Sequence, residues 1–165
     1  MAFRDKIIPF SDLAVWRQTQ RELGRRVVAT NGCFDLLHVG HASYLEAARS
    51  LGDLLLVGVN SDASVQRLKG PTRPINREHD RAALIAALAS VDAVCVFDET
   101  SAERFLATAQ PDVWAKGADY TLDTLNQDER KTVERAGGRI AFLDLVPGKS
   151  TTATLKRLSS EQPQA

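Results

Sequence analysis

The sequence predicts an α/β fold, a single Rossmann-like, doubly wound parallel sheet of about five strands. Three observations carry this reading. Short apolar runs alternate with helical segments, the connections between them are short, and Leu54-Leu55-Leu56-Val57-Gly58-Val59 is apolar without a break. Unbroken apolarity is what a strand covered on both faces requires, and strand–helix alternation with short links means a parallel sheet with helices on both sides.

Each element follows in order. Ser11 offers an N-cap for an opening helix with Leu13, Trp16, Gln20 and Leu23 on one side and Gly24 as its stop. Residues 1–24 therefore read as a helical appendage and an oligomer contact. The first strand is Val27-Val28-Ala29-Thr30, ended by Asn31-Gly32. A helix over residues 39–50 turns Tyr44, Leu45, Ala48 and Leu51 inward and stops at Gly52. After the strand at 54–59, Asn60-Ser61-Asp62 supplies turn and cap chemistry. Lys69-Gly-Pro-Thr-Arg-Pro74 reads as an irregular loop, because two prolines and a glycine oppose regular structure. Residues 77–89 are rich in alanine and leucine and helical. Strands at 93–97, 113–115 and 140–145 then alternate with helices at 102–109, 128–136 and 151–158. The main α/β body spans residues 25–158, and 159–165 read as a frayed tail.

Composition narrows the function. The 165 residues carry 21 Lys+Arg against 21 Asp+Glu, so no basic surface points to nucleic acid or an anionic membrane. Any anion site is local. The two cysteines, Cys33 and Cys95, have neither metal-ligand spacing nor the number a disulfide framework needs. No apolar run approaches a membrane span, and a cytoplasmic protein is expected.

In a doubly wound sheet ligands sit beyond the carboxyl ends of the strands. After the first strand the chain reads Thr30-Asn-Gly-Cys-Phe-Asp-Leu-Leu-His-Val-Gly-His41. His38 and His41 are three residues apart, so at a helix start both rings lie on one side. A helix start also offers unpaired N–H groups and the positive end of the macrodipole, and Gly40 lets a phosphate approach the backbone. A lone histidine there would be a cap, and a His-x-x-His pair can ligate a metal. No further His/Cys cluster accompanies this one, and the buried strand before it favours a phosphate cradle.

Other residues offer charge near the same edge. Lys69 in its loop can reach over the site as a mobile cation. Arg73 and Arg81 can each grip a phosphate bidentately, with Arg77 a weaker candidate. Lys116-Gly117-Ala118-Asp119 follows a short strand at the sheet's carboxyl edge. Gly148-Lys-Ser150-Thr151-Thr152 opens the last helix, where hydroxyls either cap the helix or meet a triphosphate tail.

The segment with His38, Gly40 and His41 resembles the HxGH signature of the nucleotidylyltransferase superfamily, and residues 31–41 are similar to its cytidylyltransferase-like group. Further blocks at 59–65, 67–74, 116–120 and 148–152 resemble, in order and spacing, the heptose 1-phosphate adenylyltransferases within that group. That activity often forms one half of a fusion with a sugar kinase, and here it is expected to stand alone. Related glycerol-phosphate cytidylyltransferases carry an arginine near Leu145, which this sequence lacks. The resemblance implies ATP and a sugar 1-phosphate as partners, Mg²⁺ bound mainly through the ATP phosphates, and a homo-oligomer, a dimer. On this reading His38, His41 and Lys69 are catalytic. Asn31, Gly32, Cys33, Phe34, Gly40, Lys116, Gly117, Gly148, Ser150, Thr151 and Thr152 bind the nucleotide, and Asp35, Asp62, Arg73, Arg81 and Asp119 bind the acceptor, with Asp35 and Asp62 orienting its hydroxyls or a hydrated Mg²⁺. No residue is a direct metal ligand. The expected reaction is AMP transfer from ATP to heptose 1-phosphate for lipopolysaccharide core synthesis. The alternative is a cytidylyltransferase acting on an alcohol phosphate such as glycerol 3-phosphate. A dinucleotide oxidoreductase is disfavoured, since no G-x-G-x-x-G follows the first strand.

Overall fold

Strong apolar runs become strands buried on both faces, and the helices between them cover those faces. In the computed structural model, which describes residues 2–144, the strands are β1 (Ile7–Ile8), β2 (Val27–Gly32), β3 (Leu54–Asn60), β4 (Ala93–Phe97), β5 (Val113–Gly117) and β6 (Arg139–Leu143). The helices are α1 (Leu13–Glu22), α2 (Val39–Arg49), α3 (Asp62–Lys69), α4 (Glu78–Ala86), α5 (Glu103–Ala109) and α6 (Gln127–Arg135). They form one six-stranded parallel sheet in the order β1-β4-β3-β2-β5-β6. The doubly wound α/β class is as expected, with one strand more than the five read from the sequence.

The two-residue alternation of β2 shows how the layers divide. Val27 and Ala29 join a cluster with Leu13, Leu56, Phe105, Trp114 and Val133. Val28 joins the opposite cluster with Leu45, Ala48, Leu55, Val57, Ile85 and Ala86. Thus α1, α5 and α6 cover one face, and α2 and α4 the other. Full burial of each such aliphatic side chain contributes about 1.5–3 kcal/mol, so both layers are needed to hold the sheet.

Two elements differ from the sequence reading. Ile7–Ile8 pairs with Val94 and Cys95, so the first residues add an edge strand to the sheet rather than lying outside it. Residues 62–69 are helical: Ser61 Oγ accepts from the Ser64 N–H at 3.2 Å, a cap with a helix behind it. Gly70, at φ +97°, ends that helix in a conformation side-chain-bearing residues rarely adopt. Lys69 is consequently the last residue of α3 rather than part of the loop. The positions at 145–158, where the sequence reading expects the closing helix, and the tail at 159–165 lie outside the described residues.

The sheet order reverses beside β2, with β3 on one side and β5 on the other. The carboxyl ends of β2 and β5 therefore flank the switch point, where a parallel sheet opens a crevice.

Candidate active site

The chain leaves β2 through Asn31 and Gly32, and a short loop delivers it to α2. Within that loop Phe34 is held at φ +47°, left-handed backbone unusual for an aromatic residue. The turn buries the Phe34 ring, which packs edge-on against His41 with centroids 5.4 Å apart. A Cβ on Gly32 would lie 3.1 Å from the same ring, so this position takes no larger residue without moving Phe34.

His38 is the N-cap residue of α2 in extended backbone, and its side chain makes no capping hydrogen bond. The first turn therefore keeps N–H groups that an anion can take. The His38 and His41 rings stack, centroids 3.9 Å apart at 22°. Burial, then the neighbouring His38 and Lys69, push the His41 imidazole down to about 4. His41 is thus neutral near pH 7, and its buried Nδ1 has no hydrogen-bond partner among the described residues. Lys69, the exposed last residue of α3, is near enough for its charge to act on His41.

A second group ties the loop in place. Asp35, 2% exposed, accepts from Arg73 Nε at 2.7 Å, Ile75 N at 2.8 Å and Asn76 N at 3.0 Å. Burial raises its carboxyl, but the hydrogen bonds from Asn76, Arg73 and Ile75 outweigh that and hold it below the ordinary range. Arg81, 0% exposed, donates Nε to Asn76 O, Nη1 to Cys33 O and Nη2 to Asp62 Oδ1, at 2.9, 2.6 and 2.9 Å. Arg77 reaches Asp62 only at 3.8 Å and is largely exposed. In this structure the polar atoms of Asp35 and Arg81, both expected to bind the acceptor, are directed to the protein's own loop. Arg73, pinned by Asp35, and Asp62, paired with Arg81, belong to the same network. Asn76, which the sequence gave no reason to single out, links its two halves by donating Nδ2 to Asp35 O at 2.7 Å.

The third group lies at the end of β5. Lys116 Nζ sits 4.9 Å from the Trp114 ring and 4.6 Å from the Tyr120 ring. Burial lowers the Lys116 ammonium against the opposing pull of Glu129 and Asp119. Trp114 Nε1 donates to Asn31 Oδ1 at 3.0 Å, joining this group to the end of β2. Gly117 and the exposed Asp119 complete the edge. Beneath the site, Tyr44 and Thr30 share a 2.8 Å hydroxyl–hydroxyl bond, and burial raises the phenol to about 12.

The structure therefore brings together Asn31, Gly32, Cys33, Phe34, His38, Gly40 and His41, with Lys69 and Lys116 approaching from α3 and β5. Gly148, Ser150, Thr151 and Thr152 lie outside the described residues. The arrangement sets hydrogen-bond donors, the N-terminus of α2 and two lysines along the carboxyl edge of the sheet.

The family model described as cytidylyltransferase-like matches residues 29–157. The bifunctional protein HldE of Mesorhizobium japonicum is 52% identical over 157 residues, covering 95% of this chain and 31% of that protein. The bifunctional protein HldE of Methylobacillus flagellatus is 49% identical over 156 residues, with 94% and 32% covered. This chain thus spans about a third of the length of these curated relatives. Among solved structures, a lipopolysaccharide core biosynthesis protein from Thermoplasma volcanium GSS1 superposes with a TM-score of 0.60 at 31% identity, covering 74% of this chain and 98% of that one.

Proposed function

We propose that this chain, which belongs to the cytidylyltransferase-like family, transfers AMP from ATP to D-glycero-β-D-manno-heptose 1-phosphate, forming ADP-heptose and pyrophosphate. The observation that carries the reading is the stacked His38–His41 pair at the open N-terminus of α2, beside the switch point of the sheet. The block resemblance at residues 59–74 and 116–120 supports heptose 1-phosphate as acceptor. The similarity to a lipopolysaccharide core biosynthesis protein supports the same pathway class.

A phosphate oxygen of the acceptor attacks the α-phosphorus of ATP in line. The bond from that phosphorus to the bridging oxygen breaks, and pyrophosphate leaves with the electron pair. The acceptor's second pKa is ~6, so it is largely dianionic at neutral pH and needs no strong base. The protein's task is to position two anions and offset their charge. His38, His41 and the first turn of α2 donate to the triphosphate, Lys69 approaches from α3, and Lys116 from β5. A neutral His41 enters as a hydrogen-bond donor, and the arriving phosphates draw a proton onto it.

Magnesium belongs to this reading as the counter-ion of ATP. Among the described residues no group of three or more His, Cys, Asp or Glu is placed to hold a metal ion. On this reading its ligands would be phosphate oxygens and water, and bound there it would lower the charge of the leaving pyrophosphate. Asp35 and Asp62 act here by fixing the loop around the site, and Asp119 remains for the acceptor. A homodimer and a cytoplasmic setting go with the proposal. Among the described residues no helix is long and apolar enough to cross a membrane.

The test is pyrophosphate release with ATP, CTP, GTP and UTP against a panel of sugar 1-phosphates and glycerol 3-phosphate. Turnover with ATP and heptose 1-phosphate above all other pairs is the expected result. Nucleotide binding without pyrophosphate release from any pair defeats the enzymatic reading.

A further inference from the structure

The indole of Trp114 is fully buried, 0% exposed, so it cannot touch a substrate. Its Nε1–H nevertheless spends its one hydrogen bond on a residue of the motif loop, Asn31 Oδ1 at 3.0 Å. An indole nitrogen can only donate. Asn31 must therefore present its carbonyl oxygen to Trp114 and turn its amide nitrogen the other way. This fixes the amide's orientation by chemistry. Among the described residues that contact is the one side-chain hydrogen bond Asn31 makes, so both Nδ2–H donors remain for another acceptor.

The register says where those donors stand. Ala29 pairs with Trp114 across β2 and β5. By the two-residue alternation of a strand, positions 29 and 31 share a face with 114 and 116. Asn31 and Lys116 are thus neighbours on one face at the carboxyl edge, one a neutral donor and one a cation, and the same indole holds both: Nε1 orients Asn31 and the ring carries Lys116. We infer that Trp114 is a positioning residue of the nucleotidyl transfer, acting through Asn31. It turns Nδ2 toward an oxygen of the bound nucleotide and holds the Lys116 ammonium beside it. This inference rests on the proposed reaction and adds to it a buried residue, outside the motif, that sets how the cradle is aimed.

The test is a double-mutant cycle between Trp114→Phe, which keeps an aromatic ring but removes the donor, and Asn31→Ala. Without the indole donor the amide is free to flip, and it then presents an acceptor to an anion. Trp114→Phe should lower kcat/KM for ATP roughly 10-fold, the usual effect of one misplaced hydrogen bond. In the Asn31→Ala background the same substitution should change it less than twofold. An equal loss in both backgrounds, or no loss in the parent, overturns the inference, because a merely structural tryptophan acts independently of Asn31. Should Trp114→Phe fail to fold, the parent chain still decides by NMR with a non-hydrolysable ATP analogue. The Asn31 side-chain amide protons should shift on binding, and their indifference to the nucleotide overturns the proposal. That titration needs no turnover, so it separates failure here from failure of the proposed reaction, which a parent enzyme inactive toward every sugar 1-phosphate would demonstrate.

Discussion

Arg73 and Asp35 meet at 2.6 Å, joining the motif loop after β2 to the segment after α3. Asp35 is almost wholly buried in that contact and Arg73 is 18% exposed, so water does little to replace either partner. Removing one side of a buried, hydrogen-bonded pair strands the other and typically costs about 3–5 kcal/mol. Asp35→Ala should therefore lower unfolding stability by that order, measured by urea denaturation. A loss under about 0.5 kcal/mol would return Asp35 to the substrate.

This pair also marks how far the sequence could be read. The strands at 27–32, 54–60, 93–97 and 113–117 are buried on both faces, so their apolarity is continuous and legible. So was the histidine pair, because a His-x-Gly-His at a helix start has a spacing of its own. The two residues of β1 are too few for any period to register. The α3 helix was hidden by its polarity, although its cap at Ser61 was readable. Asp35 and Arg81 carried the residue types of substrate ligands, and only tertiary structure shows their hydrogen bonds turned inward. Nothing in the sequence distinguishes Trp114 within its strand, since one hydrogen bond across two strands leaves no trace in local spacing.

The stacked histidines set a prediction for catalysis. Removing one preorganised donor to developing charge typically costs ~10²–10³-fold in rate. His41→Ala should lower kcat by that factor, measured by pyrophosphate release. Stability should change little, since the buried Nδ1 has no partner to lose among the described residues. Near-normal turnover in a folded variant removes His41 from the chemistry.

The depressed His41 gives a pH signature with a definite sign. The folded imidazole titrates at about 4 against an ordinary 6.5. Between those values the unfolded chain binds a proton that the folded chain refuses, so stability is full above the ordinary value and falls as pH drops through the window. Thermal unfolding followed from neutral pH down to about 4.5 should show this slope, and His41→Gln should flatten it. Pyrophosphate binding should take up protons in the same window, read from calorimetry in buffers of different ionisation heat. A parent and a variant with identical slopes contradict the assignment.

Lys69 separates clamp from surface charge. It ends α3, is exposed, and supplies part of the field on His41. Lys69→Ala should reduce kcat/KM strongly and leave stability within ~0.5 kcal/mol, as expected away from the core. It should also raise the His41 imidazole toward its ordinary value, visible by NMR titration. Unchanged activity and an unchanged His41 titration together assign Lys69 to solvent.

On the proposed function, nucleotide choice should rest on the 116–120 loop at the edge of β5 and on residues 146–152, which lie outside the described residues, rather than on the phosphate cradle. The cradle meets groups common to every nucleoside triphosphate, whereas the 116–120 loop lies beside it with Lys116 fixed between Trp114 and Tyr120. A site that hydrogen-bonds one base edge rejects another because its own buried polar groups are left unpaired, at ~1–3 kcal/mol each. The 116–120 block resembles the adenylyltransferases, and Leu145 replaces the arginine of the glycerol-phosphate cytidylyltransferases. ATP should exceed CTP by at least ~10-fold in kcat/KM with heptose 1-phosphate, which corresponds to ~1.4 kcal/mol. Steady-state kinetics with both nucleotides measures it directly. A preference for CTP, or turnover only with an alcohol phosphate, would sink the heptose assignment while leaving nucleotidyl transfer at the histidine pair intact.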